Sequence, residues 1–125
     1  MDVLERIKQQ VESNPIIIYM KGTPDFPMCG FSSRAAQALS AVGIPFAHVN
    51  VLDDPEIFQN LPRYADWPTF PQIYIDGELI GGCDITLELY QSGELQKLME
   101  QAVQKAKAEP LHRVGPQSQP FKGGH

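Results

Sequence analysis

The sequence holds two cysteines, one tryptophan and three histidines in 125 residues, and no long hydrophobic run. Two cysteines cannot form the disulfide framework of a small secreted domain, so a reducing, cytoplasmic compartment is expected. The longest clean apolar run is only as long as a strand, far short of the roughly 18 residues needed to cross a bilayer. Positive charge is also in short supply: the formal net charge is −5, which argues against broad binding to nucleic acid or to anionic membranes. The segment from Met1 to Gln10 is polar and charged, unlike the apolar stretch of a signal peptide. His48, His112 and His125 show no metal-ligand spacing with the cysteines. No internal repeat is present.

What remains is 42% apolar residues, enough for a single domain with a core of its own. Val3, Leu4, Ile7 and Val11 mark one face of a first helix ending near Ser13-Asn14-Pro15. Ile16 to Met20 is continuously apolar and β-branched, as in a strand covered on both faces. A proline-punctuated loop follows and delivers Cys29 to the start of a helix carrying Ala35, Ala38, Leu39 and Val42 and ending at Gly43. Phe46 to Val51 reads as a second strand, parallel to the first. Asp54-Pro55-Glu56 opens a short helix running to about Leu61.

Pro71 to Gly81 reads as two strands joined by Asp76-Gly77, the signature of a type I′ hairpin. Gly81-Gly82 then allows a sharp turn, with Asp84 as cap of the helix that follows. Leu95, Leu98, Met99, Ala102, Val103 and Ala106 give that helix its apolar face. Residues 107–125 contain three prolines and three glycines and little apolar content, so a disordered tail is expected after a domain of residues 1–106. The order β-α-β, a helix, then β-β-α predicts an α/β fold with a mixed sheet flanked by helices.

The chemistry centres on Cys29. At the start of a helix, unpaired backbone N–H groups and the helix dipole acidify a thiol. Thioredoxin-like oxidoreductases place two cysteines at such a turn, spaced C-x-x-C. Here Ser32 stands in the second position, so no disulfide can close within the motif. The competing reading of Cys29, a small buried hydrophobe, fits poorly with a strand-to-helix turn. Ser32 reads as a first-turn polar residue satisfying a backbone group.

Lys21, Cys29-Gly30-Phe31-Ser32, Trp67 to Gln72 and Gly81-Gly82-Cys83-Asp84 together resemble a single-domain monothiol glutaredoxin. The match covers roughly residues 1–106, and the four motifs fall in order. The resemblance implies a thioredoxin-like fold with a central four-stranded mixed sheet, bound glutathione, and a [2Fe–2S] cluster shared across a homodimer. It also implies partnership with BolA-like proteins and with iron–sulfur recipient proteins. Lys21, at the end of the first strand, then either stabilises the Cys29 thiolate or pairs with a glutathione carboxylate; otherwise it is a solvated surface lysine.

By the same resemblance the Phe70–Pro71 peptide is cis, and Thr69, Phe70 and Pro71 present backbone to an extended peptide such as glutathione. Trp67 packs beside that loop as a structural residue. Gly82, Cys83 and Asp84 open a helix whose free N–H groups suit the glutamyl carboxylate. Asp84 can take the ligand's ammonium or act as a plain cap. Phe58 is a departure, because related glutaredoxins usually carry a carboxylate-binding arginine there. Arg63, five residues on, is the nearest cation and the candidate replacement.

Three function classes follow: an iron–sulfur carrier, a glutathione-dependent thiol–disulfide oxidoreductase working through Cys29 alone, and a cofactor-free interaction module. The intact Lys21, Cys29 and Asp84 set disfavours the third. A [2Fe–2S] cluster takes four thiolate-type ligands, and one chain offers two cysteines at most. A dimer could supply Cys29 and Cys83 twice, or Cys29 twice with two glutathione sulfurs. The second arrangement is preferred, because the resemblance assigns Cys83 to glutathione contact.

Overall fold

A computed structural model describes residues 2–108. Helix α1 spans Val3–Ser13, opened by the Asp2 carboxylate accepting from the Leu4 N–H and burying Ile7 and Val11. Strand β1, Ile16–Met20, is buried along its whole length. Its alternation serves two cores. Ile16, Ile18 and Met20 face one core, together with Leu39, Leu95 and Met99. Ile17 and Tyr19 face the other, with Ile7, Val11, Ile57 and Leu61. Each such side chain contributes about 1.5–3 kcal/mol by leaving water, which fixes β1 as the central strand.

Helix α2 runs Gly30–Val42 and stops at Gly43. Strand β2, Ala47–Asn50, is shorter than the Phe46–Val51 expected, because the chain turns into a single 3₁₀ turn at Val51–Asp53. Asn50 causes the turn: its side-chain oxygen accepts from the Leu52 N–H at 3.0 Å. Helix α3, Pro55–Tyr64, opens on Asp54, which accepts from Ile57 N–H, and continues past Leu61 through Pro62. A proline so near the end removes one helical hydrogen bond without stopping the last turn.

Strands β3 (Gln72–Ile75) and β4 (Glu78–Gly81) form the expected hairpin. Asp76 and Gly77 both have positive φ, at 56° and 81°, as a type I′ turn requires. The sheet order is β2-β1-β3-β4, with β1 parallel to β2 and antiparallel to β3. The mixed four-stranded sheet flanked by helices is therefore as expected. Among the described residues no helix is long and apolar enough to cross a membrane.

Three further expectations change. The single last helix is in fact two, α4 (Cys83–Ser92) and α5 (Glu94–Ala108), divided where Gly93 takes a left-handed φ of 85°. Asp84 is not the cap: Gly82 occupies that position without a side-chain bond, and Asp84 lies in the first turn. Lys107 and Ala108, assigned to the tail, complete α5; the rest of the expected tail lies outside the described residues.

Candidate functional site

The site begins where β1 ends. The Lys21 N–H donates to Ser32 Oγ at 3.1 Å, and the Gly22 N–H to Asn50 Oδ1 at 2.9 Å. The loop beyond folds on itself: Thr23 and Phe26 exchange backbone hydrogen bonds of 3.1–3.2 Å, and the Met28 N–H donates to the Lys21 carbonyl at 2.9 Å. Cys29 therefore arrives in a fixed place, extended at φ −155°, as the residue that caps α2. Its carbonyl accepts from the Ser33 N–H at 2.8 Å.

The Cys29 thiol titrates below its ordinary range. The Ser32 backbone N–H is the main cause; partial burial opposes it, and the Phe31 N–H, the Lys21 charge and the Ser32 hydroxyl add to it. Helix N–H groups thus matter more than Lys21, whose ammonium lies over the Phe58 ring, 5.9 Å from its centroid. Ser32 is fully buried and serves two groups at once, accepting from Lys21 N–H and donating towards the sulfur. It does satisfy a backbone group, as the sequence suggested. Cys83 is the opposite case. It is buried, burial pushes its thiol up, and the Arg34 guanidinium only partly offsets this.

These thiols predict distinct reactivities. With iodoacetamide, Cys29 alkylation should reach half its maximal rate below the pH of an ordinary thiol, and Cys83 should lag behind it. Ser32→Ala removes the hydroxyl donor and leaves the Lys21 N–H unpaired, so the Cys29 midpoint should rise. Peptide mapping after timed alkylation measures both, and an unchanged midpoint in Ser32→Ala would refute the role given to this hydroxyl.

Three chain segments converge beside Cys29 around a cleft of about 670 Å³. Lys21 and Cys29 form one side, Thr69, Phe70 and Pro71 a second, and Gly82, Cys83 and Asp84 at the start of α4 a third. The Phe70–Pro71 bond is cis. Gly82 sits tightly against this loop, since a β-carbon there would lie 3.2 Å from the Pro71 carbonyl oxygen. Phe31, Pro62, Trp67 and Ile85 also line the cleft. Of these, Trp67 was singled out in the sequence as structural, whereas Pro62 and Ile85 are visible only once their helices are placed. Phe58 completes the wall, its ring 5.3 Å from that of Phe70.

Arg63 alone among the predicted site residues stays outside. Its Nε and Nη2 donate to Asn60 Oδ1 at 3.1 and 2.9 Å on the exposed face of α3. The reason is helical geometry: five residues on, a side chain points about 140° away around the axis. Pro62, four residues on, shares the Phe58 face instead.

The fold and the site define a thioredoxin-like domain with one reactive thiol at the head of a helix. Residues 16–80 match the glutaredoxin family profile. Glutaredoxin 4 of Escherichia coli (strain K12) is 55% identical over 106 residues, spanning 85% of this chain and 92% of that protein. The solution structure of reduced poplar apo GrxS14 superposes with a TM-score of 0.70 at 48% identity, covering 81% of this chain and 93% of that one. A buckwheat glutaredoxin–glutathione complex superposes with a TM-score of 0.69 at 27% identity, covering 79% and 88%. The chain belongs to the glutaredoxin family and is a monothiol glutaredoxin.

Proposed function

We propose that the protein is a glutathione-dependent carrier of a [2Fe–2S] cluster in the cytoplasm, acting in iron–sulfur assembly and transfer. The carrying observation is the isolation of an acidified thiol at the rim of a peptide-sized cleft. Cys29 has no second thiol in its own motif, and among the described residues no group of three or more ligating side chains surrounds it. A cluster must therefore find its other ligands outside the chain. Cys29 fits the need, being only partly buried and readily ionised. Cys83 does not, because burial holds its proton on. Two chains each contributing Cys29, with two glutathione sulfurs, make the four ligands. BolA-like proteins and cluster-accepting proteins are the partners of this reading.

Glutathione suits the cleft by charge. Lys21 and Asp84 are its charged lining residues besides Cys29 itself. Lys21 would meet one ligand carboxylate, the α4 N–H groups the other, and Asp84 the ammonium. The buckwheat relative is a complex with glutathione. Lys21→Ala should weaken glutathione binding about tenfold, the scale of one charge-assisted hydrogen bond. Arg63→Ala should change it less than about twofold, as at other surface sites. Isothermal titration measures both, and a large loss in Arg63→Ala would show the guanidinium swinging into the cleft.

The decisive experiment is anaerobic reconstitution with iron and sulfide, with and without glutathione, followed by the visible spectrum and the native mass. A coloured dimer that requires glutathione supports the carrier. A second reading rests on the lowered thiol pKa alone: the Cys29 thiolate attacks the glutathione sulfur of a mixed disulfide and expels the substrate thiolate, and a second glutathione restores Cys29. Rapid reduction of glutathionylated substrates with no cluster formed would favour that route.

A further inference from the structure

The cleft wall formed by residues 68–71 is sparingly tied down. Pro68 and Pro71 have no N–H, and among the described residues neither the N–H nor the C=O of Phe70 has a hydrogen-bond partner. Trp67 N–H, donating to the Pro62 carbonyl at 2.8 Å, anchors only the near end. Beside the packing of the Phe70 ring on Phe58, the remaining hydrogen bonds to this wall among the described residues come from one side chain. Gln72 is fully buried, and its Nε2 donates to the Trp67 carbonyl at 2.8 Å and to the Thr69 carbonyl at 3.3 Å. Two carbonyls can only accept, so the nitrogen of this amide must face the loop. Its oxygen then faces Tyr74, whose hydroxyl donates to it at 2.8 Å. Burial pushes the Tyr74 phenol well up, so it remains a donor at any working pH.

We propose that Gln72 is the positioning residue of the ligand-reading loop. Its amide, oriented by Tyr74, holds the Trp67 and Thr69 carbonyls and so keeps the unpaired Phe70 main chain presented to an extended thiol peptide. Gln72 touches no ligand; it acts through the loop. The role rests on reading the cleft as the glutathione site. It accounts for a fully buried glutamine at the first position of β3, where an apolar residue would pack without needing partners.

The test compares Gln72→Leu, Gln72→Glu and Tyr74→Phe with the wild type, measuring glutathione affinity by calorimetry, the Cys29 alkylation midpoint, and melting temperature. Gln72→Glu keeps the shape but turns the donor into an acceptor facing two carbonyls. Both Gln72 variants should lose about tenfold or more in affinity and Tyr74→Phe about threefold, the scale of unpaired buried polar groups. The Cys29 midpoint should stay at the wild-type value, because α2 sets it. Met99→Leu, in the opposite core, serves as the control for general destabilisation.

If the Gln72 variants lose no more affinity than Met99→Leu at a comparable melting temperature, Gln72 is structural only and the proposal falls. Should they fail to fold, Tyr74→Phe decides alone, and unchanged affinity there overturns it. A wild type that takes up no glutathione overturns the site reading itself, a result distinct from either.

Discussion

Exchanging Cys29 for serine is expected to abolish cluster uptake completely, while Cys83→Ser keeps it. The two residues lie on the same cleft, yet their surroundings divide them. A metal–sulfur bond needs a thiolate. Cys29 receives helix N–H groups on its sulfur and loses its proton readily. Burial holds the Cys83 thiol above its ordinary range, although the Arg34 guanidinium pulls the other way. A serine hydroxyl at position 29 would retain the proton that the thiol gives up, and the other cysteine on the cleft, Cys83, is buried. After reconstitution, the visible absorption of Cys29→Ser should match a protein-free blank, and its mass should be that of the monomer. Cys83→Ser should give a spectrum like the wild type and only modestly weaker glutathione binding. Loss of colour in Cys83→Ser, with glutathione binding intact, would place the second cysteine among the ligands instead.

The second large effect lies on a residue with no chemistry of its own. Gly22 has φ +94°, and a β-carbon there would stand 2.5 Å from the Phe26 carbonyl oxygen and 2.6 Å from the Met28 nitrogen. Both neighbours are backbone and part of the same hydrogen-bonded loop, so neither can move aside cheaply. Gly22→Ala is expected to cost about 3 kcal/mol, combining a strained φ with a steric clash. The loop that delivers Cys29 would shift as well, so cluster uptake should fall together with stability. Chemical denaturation with the wild type as reference measures the first effect and reconstitution the second. A loss under about 1 kcal/mol would mean that the loop repacks freely, contrary to its hydrogen bonding.

Much of this was legible in the residues. The β-branched run Ile16-Ile17-Ile18 announces a doubly covered strand, Asp76-Gly77 a hairpin, and Cys29 before Gly30 the thiol at a helix start. These are local signals, carried by neighbours in sequence. Gly93 was missed because the apolar positions of α5 alone suffice to define one helix, and those of α4 are weak. Arg63 is near Phe58 along the chain but lies outside the cleft lining, because a helix orders side chains by angle. Gln72 gave no local signal at all: a glutamine opening a strand is ordinary until Trp67, Thr69 and Tyr74 are seen around it.

Antiparallel pairing of β1 with β3 sets the end of one strand beside the start of the other. That arrangement draws together Lys21, Thr69 and Asp84, which are far apart in sequence, around one space. A molecule seated there does for the chain what its free cysteines do not: it acts as a cross-link between distant segments, present only in the native arrangement. At a hundredfold excess over its dissociation constant such a ligand stabilises by about 2.7 kcal/mol. The protein's resistance to heat should then follow the thiol-peptide concentration around it, so that a fall in that pool loosens the fold and empties the site together.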